Sequence, residues 1–169
     1  MALDERVREV IPGSEAALEN IVSGPVLVVN TAKIEDVLRF LRDDPELCFD
    51  MLVDMTAIDY RPKHGCFHVV YLLRSMARNE RLTVKVKPQG DDPVVPTASN
   101  LWKSANWAER EIWDMFGVRF DGHPDLRRIL LYKEFVGHPL RKDYPVDKRQ
   151  PLIPERDPIT DPWPSRDGV

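Results

Sequence analysis

The residues closest to catalytic chemistry are three carboxylates in one predicted helix, Glu109, Glu111 and Asp114. Glu111 and Asp114 are three positions apart and can share a helix face, as paired carboxylates for general acid–base catalysis would require. Arg110 is four positions before Asp114 and can pair with it on the helix surface. Further arginines follow in the sequence, at Arg119, Arg127 and Arg128. The sequence therefore favours an ion-pair network over a catalytic site.

The four histidines form no recognisable metal-binding pattern: His64, His68, His123 and His138. His64 and His68 are expected on either side of a turn, whereas His123 and His138 each precede a proline in extended chain. No Cys-x-x-Cys or His-Glu-x-x-His motif accompanies them. We expect these side chains to form hydrogen bonds within loops rather than to bind a metal.

Motifs for other catalytic or cofactor sites are also missing from the sequence. The eight glycines include neither a Gly-x-Gly-x-x-Gly fingerprint nor a phosphate-binding loop, and no serine lies in a Gly-x-Ser-x-Gly motif. Two cysteines, Cys48 and Cys66, are too few for an iron–sulfur cluster and are expected to be buried thiols next to strands. The sequence thus predicts no catalytic residue and no cofactor or metal site in this chain.

The segment 137–145 (GHPLRKDYP) combines a stiff backbone with side chains typical of protein interfaces. Its two prolines reduce the entropy lost on binding. Arg141 and Lys142 provide charge, and Tyr144 is a residue type enriched at binding hot spots. Trp163 lies between two prolines in a tail with little apolar content, which is typical of a segment that binds a partner's groove. The sequence favours a docking loop over a free basic turn.

The composition fits one domain with a real core, since 43% of the 169 residues are hydrophobic and 31% are charged. A net charge of −4 argues against a nucleic-acid-binding protein, although residues 119–149 carry a modest positive balance that suits a partner surface. The N-terminus lacks the apolar core of a signal peptide, and no apolar run is long enough to span a bilayer. We expect a reduced, cytoplasmic protein.

Hydrophobic periodicity predicts the elements that carry these residues. In order, they are a helix over 3–11, a helical turn from Ser14 to Ile21, a strand over 25–31, a helix capped by Thr31 and ended by Asp43-Asp44-Pro45, strands over 49–60, 66–74 and 82–86, and a helix from Leu101 to its C-cap Gly117. Short links between the last three strands favour antiparallel pairing.

Two packing expectations accompany these elements. Alternation predicts that the strand over 49–60 buries Phe49, Met51, Val53, Met55 and Ala57. The last helix is expected to pack on the sheet through Trp102, Trp107 and Trp113.

The predicted fold class is α+β, with a small, largely antiparallel sheet of about four strands, helices packed on it and an extended irregular C-terminal tail. The α+β domain is expected to span residues 1–132, and its last strand-like run is residues 128–132 (RILLY). Residues 133–169 are expected to form the docking loop and a proline-rich tail that packs no core of its own.

Three stretches of the sequence resemble those of a known family. Residues 109–117 read EREIWDMFG, residues 123–130 read HPDLRRIL and residues 137–145 read GHPLRKDYP. In this order and spacing they are similar to the subunit designated C, or C-type subunit, of the proton-pumping NADH–quinone oxidoreductase (respiratory complex I). Residues 54–60 (DMTAIDY) and 102–105 (WKSA) are also similar.

The resemblance implies a peripheral subunit of the hydrophilic arm, on the cytoplasmic side of the inner membrane. Such a subunit binds no cofactor itself, because FMN, the iron–sulfur clusters and quinone are held by other subunits. It packs against the subunit designated D, or D-type subunit, which helps to form the quinone cavity, and against further neighbours. The whole complex transfers electrons from NADH to quinone and couples this transfer to cation export. The residues then expected at the partner interface are Glu109, Arg110, Glu111, Asp114, His123, Arg127, Arg128, His138, Pro139, Arg141, Lys142, Asp143, Tyr144 and Trp163.

Two alternatives remain open at this point. Related domains occur in membrane-bound nickel–iron hydrogenases and in the photosynthetic NAD(P)H-dehydrogenase-like complex, so an equivalent subunit of such a complex fits similar motifs. A stand-alone hydrolase that uses Glu111 and Asp114 is an alternative from a different functional class.

Overall fold

The computed structural model of the chain describes residues 2–21, 24–61 and 65–150. Within these ranges the elements are α1 (Leu3–Val10), β1 (Ala17–Ile21), β2 (Gly24–Val29), a 3₁₀ turn (Thr31–Lys33), α2 (Ile34–Asp43), β3 (Met51–Asp59), β4 (Phe67–Ser75), β5 (Glu80–Val86), β6 (Val94–Pro96), α3 (Ala105–Phe116) and β7 (Arg119–Asp121). Residues 122–150 follow as irregular chain. Trp163 and His64 lie outside the described residues, so their predicted roles stay predictions. The predicted domain boundary at residue 132 is not tested by the structure and also stays a prediction.

Five strands form the main sheet in the order β1-β2-β5-β4-β3. Neighbours pair antiparallel except β2 and β5, which run parallel from Val26 opposite Thr83 to Val29 opposite Val86. The α+β class and the antiparallel meander β3-β4-β5 are therefore confirmed. A second, two-stranded sheet pairs β6 with β7 in parallel.

Strand β1 contradicts the helical turn that was expected from Ser14 to Ile21. Within that segment, Ala17–Ile21 pair antiparallel with β2. Its polar residues hide the alternation of a strand, and its hydrogen bonds to β2 are a tertiary feature that local pattern does not encode. β1 extends the sheet and satisfies the outer backbone groups of β2.

A β-bulge in β3 overturns the alternation expected for that strand. The pairing with β4 skips from Leu52 to Asp54, which leaves Val53 as the extra residue. The inward-facing positions change phase at this point, so Val53 and Met51 are 52% and 45% exposed instead of buried. One inserted residue reverses the direction of every side chain on one side of it.

The core lies between one face of the sheet and the helices. The residues of α2 that point into it recur at helical spacing: Ile34, Val37, Leu38 and Leu41. The 3₁₀ turn before α2 is capped by Asn30, whose Oδ1 atom accepts a hydrogen bond of 3.0 Å from the N–H of Ala32. The cap is thus one residue earlier than the predicted Thr31.

Helix α3 ends at Gly117, as predicted, because this residue adopts a left-handed conformation with φ of 75°. The three tryptophans expected to join this helix to the sheet differ in environment. Trp102 is buried and donates its indole N–H to the carbonyl of Asp50, and Trp113 is half-buried. Trp107 was expected to pack on the sheet but is 61% exposed. Of the two free cysteines, Cys66 is buried as expected and Cys48 is only half-buried.

Candidate partner interface

Asp114 is completely buried and anchors the chain that follows α3. Its Oδ2 atom accepts hydrogen bonds of 2.9 to 3.0 Å from the three consecutive backbone N–H groups of residues 129–131. Its Oδ1 atom accepts a hydrogen bond of 2.6 Å from Nη1 of Arg128. Residues 128–132 form no strand, contrary to their strand-like sequence, because these N–H groups bind a carboxylate instead of a neighbouring strand.

These hydrogen bonds keep Asp114 charged. Burial alone would raise the pKa of its carboxyl group, but the donors from Leu131 and Arg128 outweigh burial and the pKa is lowered. The expected pair between Arg110 and Asp114 is not formed, since Arg110 donates to the carbonyl oxygens of Arg127 and Arg128. With both of its oxygens occupied, Asp114 is not free to act as an acid–base partner of Glu111.

Arg128 connects α3 to the chain that follows it. Its Nη2 atom donates to the carbonyl oxygens of Phe135 and Gly137 at 2.9 and 3.1 Å. The guanidinium also lies over the rings of Trp113 and Phe135, 5.6 and 5.7 Å from their centroids. One side chain thereby fixes residues 135–137 against the helix.

His138 packs against the C-terminal end of α3. Its Nδ1 atom lies 2.9 Å from the carbonyl oxygen of Asp114 and donates a hydrogen bond to it. Burial lowers the pKa of His138, and the cations Arg128 and Arg141 lower it further, so the ring is neutral at pH 7. The ring lies so close to Gly117 that a Cβ atom there would be 2.6 Å from Cδ2 of His138.

A second buried carboxylate, Asp59 at the end of β3, ties the loop 141–143 to the sheet. Its Oδ2 atom accepts hydrogen bonds of 2.9 Å from the N–H of Lys142 and 2.7 Å from Nη2 of Arg61. Nη2 of Arg61 also lies 2.8 Å from Oδ1 of Asp143. Burial alone would raise the pKa of Asp59, but the bonds from Arg61 and Lys142 lower it to about 2. The stiff loop thus docks on its own domain.

Glu109 is also completely buried, but it binds neutral groups. Its Oε2 atom accepts a hydrogen bond of 2.6 Å from the Thr97 hydroxyl, and Oε1 accepts one of 2.6 Å from the N–H of Ala98. Nε2 of His123 is 3.9 Å from Oε2. Burial raises the pKa of Glu109 to about 7, against the opposing effect of hydrogen bonds from Thr97, Ala98 and the N–H of Ser99.

His123 closes this buried site from the other side. Its Nδ1 atom accepts a hydrogen bond of 3.0 Å from the N–H of Asp125. In the neutral ring the proton is then on Nε2, which lies 3.2 Å from the carbonyl oxygen of Asn106. His123 therefore joins its own loop to helix α3, whereas the sequence predicted hydrogen bonds within loops for the histidines.

Comparison with known proteins shows which family this chain belongs to. Residues 27–150 match the model of the family described as respiratory-chain NADH dehydrogenase, 30 Kd subunit. The chain is 42% identical to the C-type subunit of the NADH-quinone oxidoreductase of Roseiflexus sp. (strain RS-1) over 151 residues, which cover 86% of this chain and 87% of that protein. It is 44% identical to the corresponding subunit of Rhizobium meliloti (strain 1021), designated C 2, over 134 residues, which cover 77% and 73%. The chain belongs to the C-type subunit family of NADH–quinone oxidoreductases.

Two solved structures share the fold of this chain. A trypsin-resistant fragment (1-134) of Nqo5 superposes with a TM-score of 0.61 at 32% identity, covering 72% of this chain and 98% of that fragment. A chain of the membrane-bound sulfane sulfur reductase, an archaeal respiratory membrane complex, gives a TM-score of 0.67 at 27% identity, with 84% and 83% covered. In the described part of the chain, no helix is both long and apolar enough to cross a membrane. The described ranges likewise contain no cluster of His, Cys, Asp and Glu side chains suited to a metal ion.

The residues predicted at the interface of this C-type subunit fall into three groups. Those whose side chains bind other parts of the chain are Glu109, Arg110, Asp114, His123, Arg128, His138, Arg141 and Asp143. Of the others, Glu111, Arg127 and Lys142 are exposed, and Pro139 and Tyr144 are half-buried. The first group fixes the backbone, and the side chains of the other two groups are at least partly exposed to solvent.

Sequence reasoning missed the large apolar side chains that this arrangement exposes. Leu130 and Val136 are 61% and 54% exposed, and Leu140 and Tyr132 are 48% and 41% exposed. They lie in irregular chain, where no periodicity marks an inside or an outside. Exposed apolar side chains held on a fixed backbone are typical of a protein interface.

Proposed function

We propose that this chain is a non-catalytic subunit of the peripheral arm of a NADH–quinone oxidoreductase and docks on the D-type subunit through the segment 128–144. In this role it supports electron transfer from NADH to quinone by the whole complex. The observation that carries the proposal is the set of three backbone hydrogen bonds to Asp114. Together with the bonds made by Arg128 and Asp59, they fix this segment on the domain. A fixed segment loses little entropy on binding and can present its exposed side chains in one geometry.

The same proposal assigns the redox chemistry to other subunits. We expect FMN, the iron–sulfur clusters and quinone to be bound outside this chain, because the sequence offers no ligand set for them and its buried carboxylates are engaged in structural hydrogen bonds. We expect the chain to associate with the cytoplasmic side of the membrane through its partners.

A charged substitution in the segment tests the docking claim. Leu140 is 48% exposed, so Leu140→Asp should leave the fold intact and lower co-purification with a co-expressed D-type subunit at least about tenfold, because a carboxylate would be buried in the interface. Met76→Asp is the matched control, since Met76 is 57% exposed in the turn between β4 and β5. Equal co-purification of both folded variants would reject docking through this segment.

The kind of complex is tested by purification from the native membrane. A tagged chain should bring down a complex that oxidises NADH with quinone as acceptor. The similarity to a chain of the sulfane sulfur reductase favours a second candidate, an equivalent subunit of another respiratory membrane complex. A purified complex without NADH oxidation would support that candidate and contradict our proposal.

A further inference from the structure

A groove of about 220 Å³ lies between the edge strand β3 and helix α3. Its walls include three exposed apolar side chains, Val53, Trp107 and Leu130. Its polar lining includes the carboxylates of Asp54 and Glu111. The groove is smaller than the cavities of about 300–1,000 Å³ that hold drug-sized ligands, so it suits a single inserted side chain better than a small molecule.

The bulge in β3 places both β3 residues at the groove. Strict alternation would direct Val53 and Asp54 to opposite faces of the sheet, but the bulge exposes both of them. Bulges commonly redirect a side chain at the edge of a sheet, at the expense of regular pairing. The exposure of Val53 therefore follows from a specific backbone feature rather than from general surface composition.

Trp107 forms the opposite wall of the groove, and Arg110 restrains its ring. The guanidinium of Arg110 lies 5.2 Å from the centroid of its ring. Arg110 is fixed in turn by hydrogen bonds to the carbonyl oxygens of Arg127 and Arg128. Tryptophan is one of the residue types enriched at binding hot spots, and a restrained ring loses less entropy on binding.

The charge of the groove indicates what it binds. Within the described residues, the carboxylate of Glu111 has no hydrogen bond or ion pair, whereas Glu109 and Asp114 on the same helix are fully engaged. In the described part of the chain, Asp54 binds only the N–H of its neighbour Met55. Among the described residues that line the groove there is no lysine or arginine. An apolar groove with two uncompensated carboxylates is complementary to an apolar side chain that is flanked by a base.

We propose that this groove receives a segment of a neighbouring subunit in which a large apolar residue is flanked by lysine or arginine. The proposal rests on the proposed function, because it assumes that the chain has neighbours in a complex. The chain's own residues 151–169 fit less well, since four carboxylates and only two arginines lie among them: Glu155, Asp157, Asp161 and Asp167 against Arg156 and Arg166. Their net negative charge would repel the groove.

Site-specific photo-crosslinking within the assembled complex tests the occupant. A photoreactive phenylalanine analogue would replace Val53 or Trp107 in the full chain, and Leu140 in a parallel sample, before purification of the complex and peptide mapping. We expect the two groove positions to capture a peptide of another subunit with lysine or arginine within two residues of a large apolar residue. Capture of residues 151–169, of a peptide without a basic residue, or of nothing would overturn the inference.

A charge reversal provides an independent readout. Glu111→Lys should lower recovery of the chain in the complex about tenfold, because it opposes the partner's base. Glu9→Lys on α1 is the matched control, an exposed helical glutamate without a hydrogen bond or ion pair within the described residues. Equal recovery of the two folded variants would contradict the charge argument.

The outcomes separate this inference from the proposed function. If the Leu140 position crosslinks and the groove positions do not, this inference fails while the proposed function stands. Absence of the chain from any NADH-oxidising complex would instead reject the proposed function.

Discussion

The two ends of helix α3 bury their carboxylates in different ways. Burial raises the pKa of Glu109 to about 7, because the neutral donors that oppose it, the Thr97 hydroxyl and the N–H groups of Ala98 and Ser99, do not outweigh it. At Asp114 the same effect of burial is outweighed by Arg128 and three backbone N–H groups, and the pKa is lowered. Both side chains are completely buried. The clearest difference between their surroundings is the charged donor Arg128, which Asp114 has and Glu109 lacks.

The difference gives the two ends different roles. Asp114 stays charged across the neutral pH range and holds residues 128–138 in place throughout. Glu109 changes protonation near pH 7, so the loop at Thr97 and Ala98 is held by a group whose charge varies with conditions. Asp114 anchors the surface proposed for partner binding. Glu109 is instead linked through Thr97 to the small β6-β7 sheet, because the Thr97 N–H donates to the carbonyl oxygen of Asp121.

The largest expected effect comes from breaking the anchored end. In Asp114→Asn the amide NH₂ faces either the guanidinium of Arg128 or the N–H groups of residues 129–131, so donors meet donors in a buried site. We expect the free energy of unfolding to fall by about 3–5 kcal/mol, as when one partner of a buried ion pair is removed. Urea unfolding at pH 7 measures this loss.

The control for this prediction lies on the same helix. Glu111 is exposed, and Glu111→Gln should change the free energy of unfolding by less than about 0.5 kcal/mol. Similar losses in the two variants would show that Asp114 is not an anchor.

A smaller effect is expected at the titrating end. The pKa of Glu109 in the folded chain, about 7, is above its ordinary value of 4.5. Its contribution to stability is therefore complete below pH 4.5 and is lost as the pH rises through 7, a change of about 3 kcal/mol. Glu109→Gln imitates the protonated form, so this part of the pH dependence should disappear.

Unfolding measured from pH 4.5 to 8 checks the prediction. The variant should be more stable than the parent chain at pH 8 and similar to it at pH 4.5. Parallel pH profiles for the two proteins would contradict the raised pKa of Glu109.

The smallest of these effects concerns the packing of His138 on the helix end. Gly117 and Gly13 have similar φ values of 75° and 80°, but a Cβ atom at Gly13 would meet no atom within 4 Å. Alanine at either position strains the backbone, and at Gly117 it also collides with His138. We expect Gly117→Ala to lower the free energy of unfolding by about 1–2 kcal/mol more than Gly13→Ala does. Equal losses in thermal unfolding would show that the close approach of His138 is unimportant.

Elements with one buried face were predictable from the sequence. The spacing of Ile34, Val37 and Leu41 predicted α2, and the alternation of Leu82 and Val84 predicted β5, because burial on one side imposes a period on the residues. The family motifs also predicted membership of the C-type subunit family. Strand β1 and the bulge at Val53 were missed, because both depend on pairing with another strand rather than on local pattern.

The candidate site was predictable in its residues but not in its contacts. Sequence spacing suggested that Asp114 pairs with Arg110, but its partner Arg128 arrives through the fold of an irregular segment. The burial of Glu109 had a usable signal, since it lies four positions after Ala105 and three before Ile112, on the apolar stripe of the helix. That stripe indicates which carboxylate faces inward, and it separates Glu109 from the exposed Glu111.

The parallel pair in the main sheet also constrains the order in which the chain can acquire its structure. Strand β2 pairs with β5, so the contact between Val26 and Thr83 can form only after Thr83 has been synthesised. The meander β3-β4-β5 joins strands that are close in sequence, whereas the long loop closure between β2 and β5 slows their contact. During synthesis the hairpin β1-β2 and helix α2 therefore leave the ribosome before the sheet that receives them exists. Until β5 emerges, their apolar faces have no sheet to pack on and stay exposed in the nascent chain.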